Sequence, residues 1–301
     1  MLVLATNHGF TTFRAIVLGV LQGISELFPI SSLGHTVLFP KLFGWNQIVQ
    51  FQSKPESPWL AFIVMLHVGS AIGLLIYFWR DWVELVKAFF RTLRKRRIET
   101  PTERLAWLII VASIPVGILG VALEHTARVA TAKPEIAAIF LVVNGFILLG
   151  AERLRRRSEV RELARREGMK DDGGRRLETL EYREAAMIGV GESTALIAGI
   201  SRDGVVMASG LARGLDNSDA ARFGFLLATP IILVAGIYKL PDLTGANGNG
   251  VRGAAVIAAV VSAITAVFTV HFLTRYFRRG NLNPFGIYCL LFGAAMVIYN
   301  A

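Results

Sequence analysis

The chain has 301 residues, 53% of them hydrophobic, and a mean hydropathy of +0.52, which is too apolar for a soluble domain whose surface must stay wet. Its formal net charge of +10 is gathered in three loops between apolar runs. That is the positive-inside pattern of a polytopic membrane protein, and it sets a nucleic-acid role aside. The single cysteine, Cys289, excludes a disulfide framework and a cysteine metal site.

In chain order, the N-terminal "MLVLATNHGFTTFR" lacks a basic n-region and no small-x-small site follows, so it is not read as a signal peptide. Residues 13–39 come next. Within them "ELFPISSLGH", residues 26–35, places a carboxylate, a proline, two serines and a histidine between the apolar "FRAIVLGVLQGI" and "TVLFPKLFGW". Apolar runs at 60–79, 105–123, 253–273 and 284–301 are long enough to cross about 30 Å of hydrocarbon as helices. Shorter runs at 136–151 and 223–238 fit if their flanks snorkel or the bilayer is thin. The basic loops lie at 80–104, 152–184 and 275–280 and are placed in the cytoplasm. Acidic residues interleave the first two, so a surface helix against anionic lipid accounts for them. The insert at 152–184 reads as helix for part of its length, broken at "MKDDGG", and as a solvated loop by default.

The sequence also repeats itself. Residues 15–35 lie without gaps over 185–205, so that Gly19 meets Gly189, Gln22 meets Glu192, Ile30 meets Ile200, Ser31 meets Ser201, Ser32 meets Arg202 and Gly34 meets Gly204. With the basic loops inside, residues 13–39 must start and end outside, and 184–215 must start and end inside. The predicted fold is therefore all-α and polytopic, with two inverted-topology repeats, each one re-entrant helical hairpin plus three transmembrane helices. The first repeat spans 1–151, with hairpin 13–39 and spans 60–79, 105–123 and 136–151. A basic loop at 152–183 leads to the second repeat, 184–301, with hairpin 184–215 and spans 223–238, 253–273 and 284–301. The tips "PISSLG" and "GISRDG" would then face each other in one polar pocket.

The residues at those tips suit phosphoryl transfer. Gln22 and Glu26 are four apart and share a helix face, and Pro29 ends that helix. Ser31 or Ser32 can cap the next helix, whose free N–H groups and Gly34 make an anion site; His35 follows within reach. The second tip adds Ser201, Arg202, Asp203 and Gly204, and arginine is the side chain best suited to bidentate contact with phosphate. Plainer readings stand beside these. Serines in membrane helices also serve packing, Glu26 and Arg202 can be a buried ion pair alone, and His35 can be structural. Asp203 either neutralises Arg202 or helps hold a cation. His67 and His271 have no supporting cluster nearby in sequence and are read as structural.

These motifs resemble the undecaprenyl-diphosphate phosphatases, the bacitracin-resistance family. "QGISELFPISSLGH" is similar to the first signature of that family, and "AGISRDG" answers its second, a P-G-x-S-R-S-G turn. "ARFGFLLATPIILVAG" and "HFLTRYFRRGNLNPFGIY" extend the similarity over nearly the whole chain. The resemblance implies an enzyme of the bacterial inner membrane, its site opening to the outer face, that hydrolyses undecaprenyl diphosphate to undecaprenyl phosphate and inorganic phosphate and so recycles the lipid carrier of cell-wall synthesis. It implies Ser32 as nucleophile, Arg202 as diphosphate ligand, Glu26 and His35 as acid and base, and a divalent cation, Mg2+ or Ca2+, with Glu26, Asp203 or Glu192 as candidate ligands. Gln22, Ser31, Gly34, Ser201, Asp203, Gly204 and Glu192 would line the substrate site. The chain departs from the family pattern at Ala198 and Asp203; Gln22 is an allowed variant at the first carboxylate position, and Glu192 suggests that one carboxylate has moved across the pocket's pseudo-two-fold axis. The prenyl chain needs no pocket of its own, since it can stay in lipid. A homodimer stays open. The rival reading is a lipid-phosphate transporter that uses the same inverted-repeat pocket without hydrolysis, and a weaker one is a lipid-binding scaffold without turnover.

Overall fold

Proline marks where the long apolar segments begin. Pro58, Pro101 and Pro134 each open a helix, the position where the missing N–H costs nothing and the fixed φ already suits the turn. In the computed structural model, which describes residues 9–52, 57–131, 133–165, 175–245 and 250–300, twelve α-helices follow one another. They are α1 (Thr12–Ser25), α2 (Ser32–Leu42), α3 (Asn46–Gln52), α4 (Pro58–Tyr77), α5 (Trp79–Lys95), α6 (Pro101–Thr131), α7 (Pro134–Arg165), α8 (Tyr182–Glu192), α9 (Arg202–Leu211), α10 (Asn217–Thr244), α11 (Arg252–Tyr276) and α12 (Asn283–Asn300). Among the described residues there is no β-strand, only an isolated bridge between Arg175 and Leu215.

Among the described residues, six helices are long and apolar enough to cross a membrane: Pro58–Tyr77, Pro101–Leu123, Pro134–Arg156, Asn217–Lys239, Arg252–Tyr276 and Asn283–Asn300. Four of them contain a predicted span whole, while the predicted 60–79 runs past Tyr77 and 284–301 runs past Asn300. The runs at 136–151 and 223–238 belong to helical stretches of 23 residues, so neither needs a thin bilayer. Hydropathy alone misplaced their ends because polar residues continue both helices past the apolar window.

The long helices meet through small residues, as expected where lipid offers no hydrophobic drive and close backbone approach supplies the attraction. Gly69 of α4 lies directly against the backbone of Ala259 in α11. A Cβ on Gly145 of α7 would lie 2.8 Å from the Gly286 carbonyl oxygen of α12, and one on Gly23 of α1 would lie 2.6 Å from the Ser262 carbonyl oxygen of α11. Arg222, near the start of α10, bonds Asp81 just beyond the end of α4 at 2.8 Å, which sets these two helices antiparallel.

The predicted loop at 80–104 is largely the amphipathic α5. It buries Leu85, Ala88 and Thr92 and leaves Val83, Val86, Phe90 and Leu93 exposed beside its basic residues. The insert at 152–184 begins as a continuation of α7 to Arg165, while "MKDDGG" lies outside the described residues, as does most of the N-terminal stretch. Its flanks are less solvated than expected. Glu152 is buried and accepts hydrogen bonds from Arg155 at 2.8 Å and from the Leu282 amide at 3.3 Å.

Candidate active site

Helix α1 ends at Ser25, one turn before Pro29, because the residue preceding a proline is pushed out of the α region. Glu26 stands at its C-cap and shares a face with Gln22, whose Nε2 donates to Glu26 Oε2 at 2.9 Å. The chain turns through residues 26–30 and re-enters helix at Ser32. Ser31, at φ +70°, is the cap: its Oγ accepts from the Gly34 amide at 3.2 Å. That leaves the Ser32 hydroxyl free of capping, and it donates to Glu26 Oε2 in a short hydrogen bond.

The turn before α9 is built alike. Ser201 caps α9 by accepting from the Gly204 amide at 3.1 Å, and Arg202 is the first residue of that helix. The two turns touch. Arg202 reaches Glu26 Oε1 at 2.7 Å, Ser31 Oγ accepts from the Gly199 amide at 3.1 Å, and a Cβ on Gly34 would lie 3.0 Å from Gly199 Cα. Asn144 of α7 clamps both: its Nδ2 donates to the Pro29 carbonyl at 3.0 Å and its Oδ1 accepts from the Ser201 amide at 2.9 Å.

These groups meet a cavity of about 780 Å³ whose polar wall includes Glu26, Ser32, Glu192, Ser201 and Arg202. Glu26 is the hub, bonded at once to Gln22, Ser32 and Arg202. The wall also holds His67, whose Nε2 lies 3.4 Å from Glu26 Oε2. A structural role for His67 is therefore corrected: α4 carries it to the same carboxylate from a distance that sequence spacing cannot show. His271, by contrast, is exposed, and its ring meets the Tyr77 ring edge-on.

His35 is not on the cavity wall. It is buried, with Nδ1 2.7 Å from the Ser31 carbonyl oxygen and Nε2 2.8 Å from the Tyr288 hydroxyl, and its ring stacks on Tyr288 and Phe292. Its reach into the pocket is corrected accordingly, because both ring nitrogens are engaged and the ring lies in an aromatic stack. Asp203 is buried, 3.6 Å from Arg202, and is not part of the cavity wall either, which favours the reading in which it neutralises Arg202. Gln22, Ser31, Gly34 and Gly204 support the turns from behind.

A sequence model of the family described as "Bacitracin resistance protein BacA" matches residues 15–295. The chain belongs to the bacitracin-resistance family. Its relatives include "Undecaprenyl-diphosphatase 2" of Frankia alni, 47% identical over 97% of this chain and 98% of that protein. "Undecaprenyl-diphosphatase" of Mycolicibacterium paratuberculosis is 48% identical over 96% and 97%, and "Undecaprenyl-diphosphatase 2" of Chromobacterium violaceum is 39% identical over 95% and 98%.

Within this member of the bacitracin-resistance family, the donors suit a hard cation shared with a phosphate. Both carboxylate oxygens of Glu192 are buried without a hydrogen-bond partner among the described residues, and Glu192 lines the cavity together with Glu26. Among the described residues no three His, Cys, Asp or Glu side chains come together as a closed metal cage. One or two carboxylates completed by substrate oxygens is the usual arrangement for Mg2+ at phosphates. Arg202 Nη1 is likewise buried and unpartnered, a donor left over for an anion.

Proposed function

We propose that the chain hydrolyses undecaprenyl diphosphate to undecaprenyl phosphate and inorganic phosphate. It would do so as a multi-pass protein of the bacterial inner membrane whose cavity opens to the outer face. The observation that carries this reading is the contact of one carboxylate, Glu26, with both the Ser32 hydroxyl and the Arg202 guanidinium at the wall of one cavity. A hydroxyl activated by a carboxylate beside a guanidinium is what a serine phosphatase needs.

In the mechanism, Arg202 binds the terminal phosphoryl group through its spare donor and holds it in line with Ser32 Oγ. Glu26 takes the hydroxyl proton as Ser32 Oγ bonds to the terminal phosphorus, and the bond to the bridging oxygen breaks to release undecaprenyl phosphate. Water then attacks the phosphoserine, Ser32 regains its proton from Glu26, and inorganic phosphate leaves. His67, against Glu26 on the cavity wall, is the second proton carrier. His35 acts as a positioning residue, tying the Ser31 carbonyl to Tyr288. The divalent cation would be held by Glu26 and Glu192, and when bound it supplies charge neutralisation on the phosphoryl oxygens.

We further infer that each half of the chain contains a re-entrant hairpin and that the halves are inverted repeats. Arg175 supports this for the second hairpin, since it bonds Glu184 at the start of α8 at 2.8 Å and lies against the Arg213 carbonyl after α9, so both hairpin ends lie together. Arg14 supports it for the first, packing over Trp45 at 5.2 Å and so bringing the start of α1 to the end of α2.

The test is phosphate release from undecaprenyl diphosphate by purified protein in detergent, with and without chelator. Chelator-sensitive release, lost in both Ser32→Ala and Arg202→Ala, is expected. No release from well-folded wild type would overturn the reading in favour of a lipid-phosphate transporter. Glu192→Gln is expected to raise the Mg2+ concentration for half-maximal activity, and an unchanged metal titration would remove Glu192 from the cation site.

A further inference from the structure

The cavity does not end at its polar wall. Ser113 and Gly117 of α6 and Pro230 of α10 border both the cavity and a second recess of about 620 Å³ between α5 and α6. Beyond that junction the recess is apolar, walled by Val86, Phe89 and Phe90 of α5 and by Ile110 and Ile114 of α6. The hydroxyl at the junction, on Ser113, is spent on the Ile109 carbonyl at 2.8 Å. Gly117 leaves the passage open, since a Cβ built there meets nothing within 4 Å. From Gly117 to Ala106, the recess follows α6 for roughly 16 Å at the helical rise per residue.

We infer that this recess seats the near part of the prenyl chain of the lipid diphosphate, with the first isoprene units passing Gly117, the next few lying between α5 and α6, and the remainder of the chain staying in lipid. The inference rests on the phosphatase reading, since it takes the head group to sit at Ser32 and Arg202. It departs from the expectation that the chain needs no pocket of its own. A bilayer acyl chain matches the recess in composition alone. Continuity favours the substrate's own chain, because the apolar wall begins where the catalytic cavity ends and shares three residues with it. Lipid tails are as apolar as leucine, so the recess gains nothing from transfer out of the membrane and acts through fit. Its consequence is selectivity for a chain long enough to fill it.

The experiment compares kcat/KM for undecaprenyl and farnesyl diphosphate in detergent. It uses wild type, the recess-filling Val86→Trp and Ile110→Trp, and a control, Ile298→Trp, at a position of α12 that is 77% exposed. Both recess variants should lower the preference for the longer substrate about tenfold, the lower end of what a displaced methylene carries in an apolar pocket, mainly through KM. The control should keep the wild-type preference. An unchanged preference in both recess variants, with both substrates still hydrolysed, overturns the inference and leaves the phosphatase standing. An equal fall for both substrates also counts against it, as damage to the head-group site. If wild type hydrolyses neither substrate, it is the phosphatase reading that fails. A second measurement needs no variant. A farnesyl diphosphate carrying a photoreactive group at its far end should label α5 and residues 106–117 of α6, and label spread evenly over α11 and α12 would place the chain in bulk lipid and overturn the proposal.

Discussion

Ser31 holds φ +70° without being glycine, a conformation that costs on the order of 1–3 kcal/mol and persists only where the surroundings fix it. Here they do. Its Oγ accepts from the Gly34 and Gly199 amides and its carbonyl accepts from the His35 amide at 3.2 Å. The same carbonyl sets the tautomer of His35: it can only accept, so Nδ1 carries the proton and Nε2 accepts from the Tyr288 hydroxyl. The strained turn aims Ser32 at Glu26, so Tyr288 acts on the nucleophile from three contacts away. Tyr288→Phe keeps the ring stack and removes one hydrogen bond, and kcat is expected to fall about fivefold for a loss near 1 kcal/mol, with KM and the shape of the pH–rate profile unchanged. His67→Ala is expected to lower kcat about a hundredfold, as loss of a proton carrier does, and to change that profile. An unaltered profile in His67→Ala would return the acid–base role to His35.

Among the elements, the α4–α11 seam is closely constrained. Gly69 lies against the Ala259 backbone, and a Cβ on Gly73 would lie 2.6 Å from the Ala263 carbonyl oxygen; neither neighbour is the movable end of a side chain. Gly73→Leu is expected to destabilise by about 1–3 kcal/mol through overpacking, visible as a lower midpoint of thermal unfolding in detergent, whereas Gly117→Leu, facing open space, should leave that midpoint in place. Equal midpoints for the two variants would show that the seam yields. The six spans were legible in the sequence because uninterrupted apolar windows need no partner to be recognised. How they pack was not legible, since a helix that is apolar all round carries no periodicity to say which face meets which neighbour. Helix α5 was legible as a surface helix among the interleaved charges of the basic loop, but its bounds and its buried face were not: only the spacing of Leu85, Ala88 and Thr92 marks that face.

In the whole molecule, the self-similarity of 15–35 and 185–205 set Ser31 opposite Ser201, and the two cap α2 and α9 alike; the first tip alone left the cap open between Ser31 and Ser32, because a cap is local and either serine lies within reach. Asn144, His67 and Tyr288 join this site or its support from other helices. Asn144 bonds Ser201 across 57 residues and Tyr288 meets His35 across 253, so spacing carries no trace of either. The signal available was a buried amide in the middle of an apolar span, which inside a membrane marks a site by default. Orientation remains an inference from basic loops, and it has a direct test because the chain's single cysteine, Cys289, is buried and gives little background to thiol labelling. Asn46, exposed at the start of α3 near the cavity's Gln52, and Arg94, exposed on α5, mark the two ends of the bundle. In intact spheroplasts a membrane-impermeant maleimide is expected to label Asn46→Cys, and to label Arg94→Cys only after permeabilisation. The reverse pattern would turn the cavity mouth toward the cytoplasm and overturn the outward-facing reading.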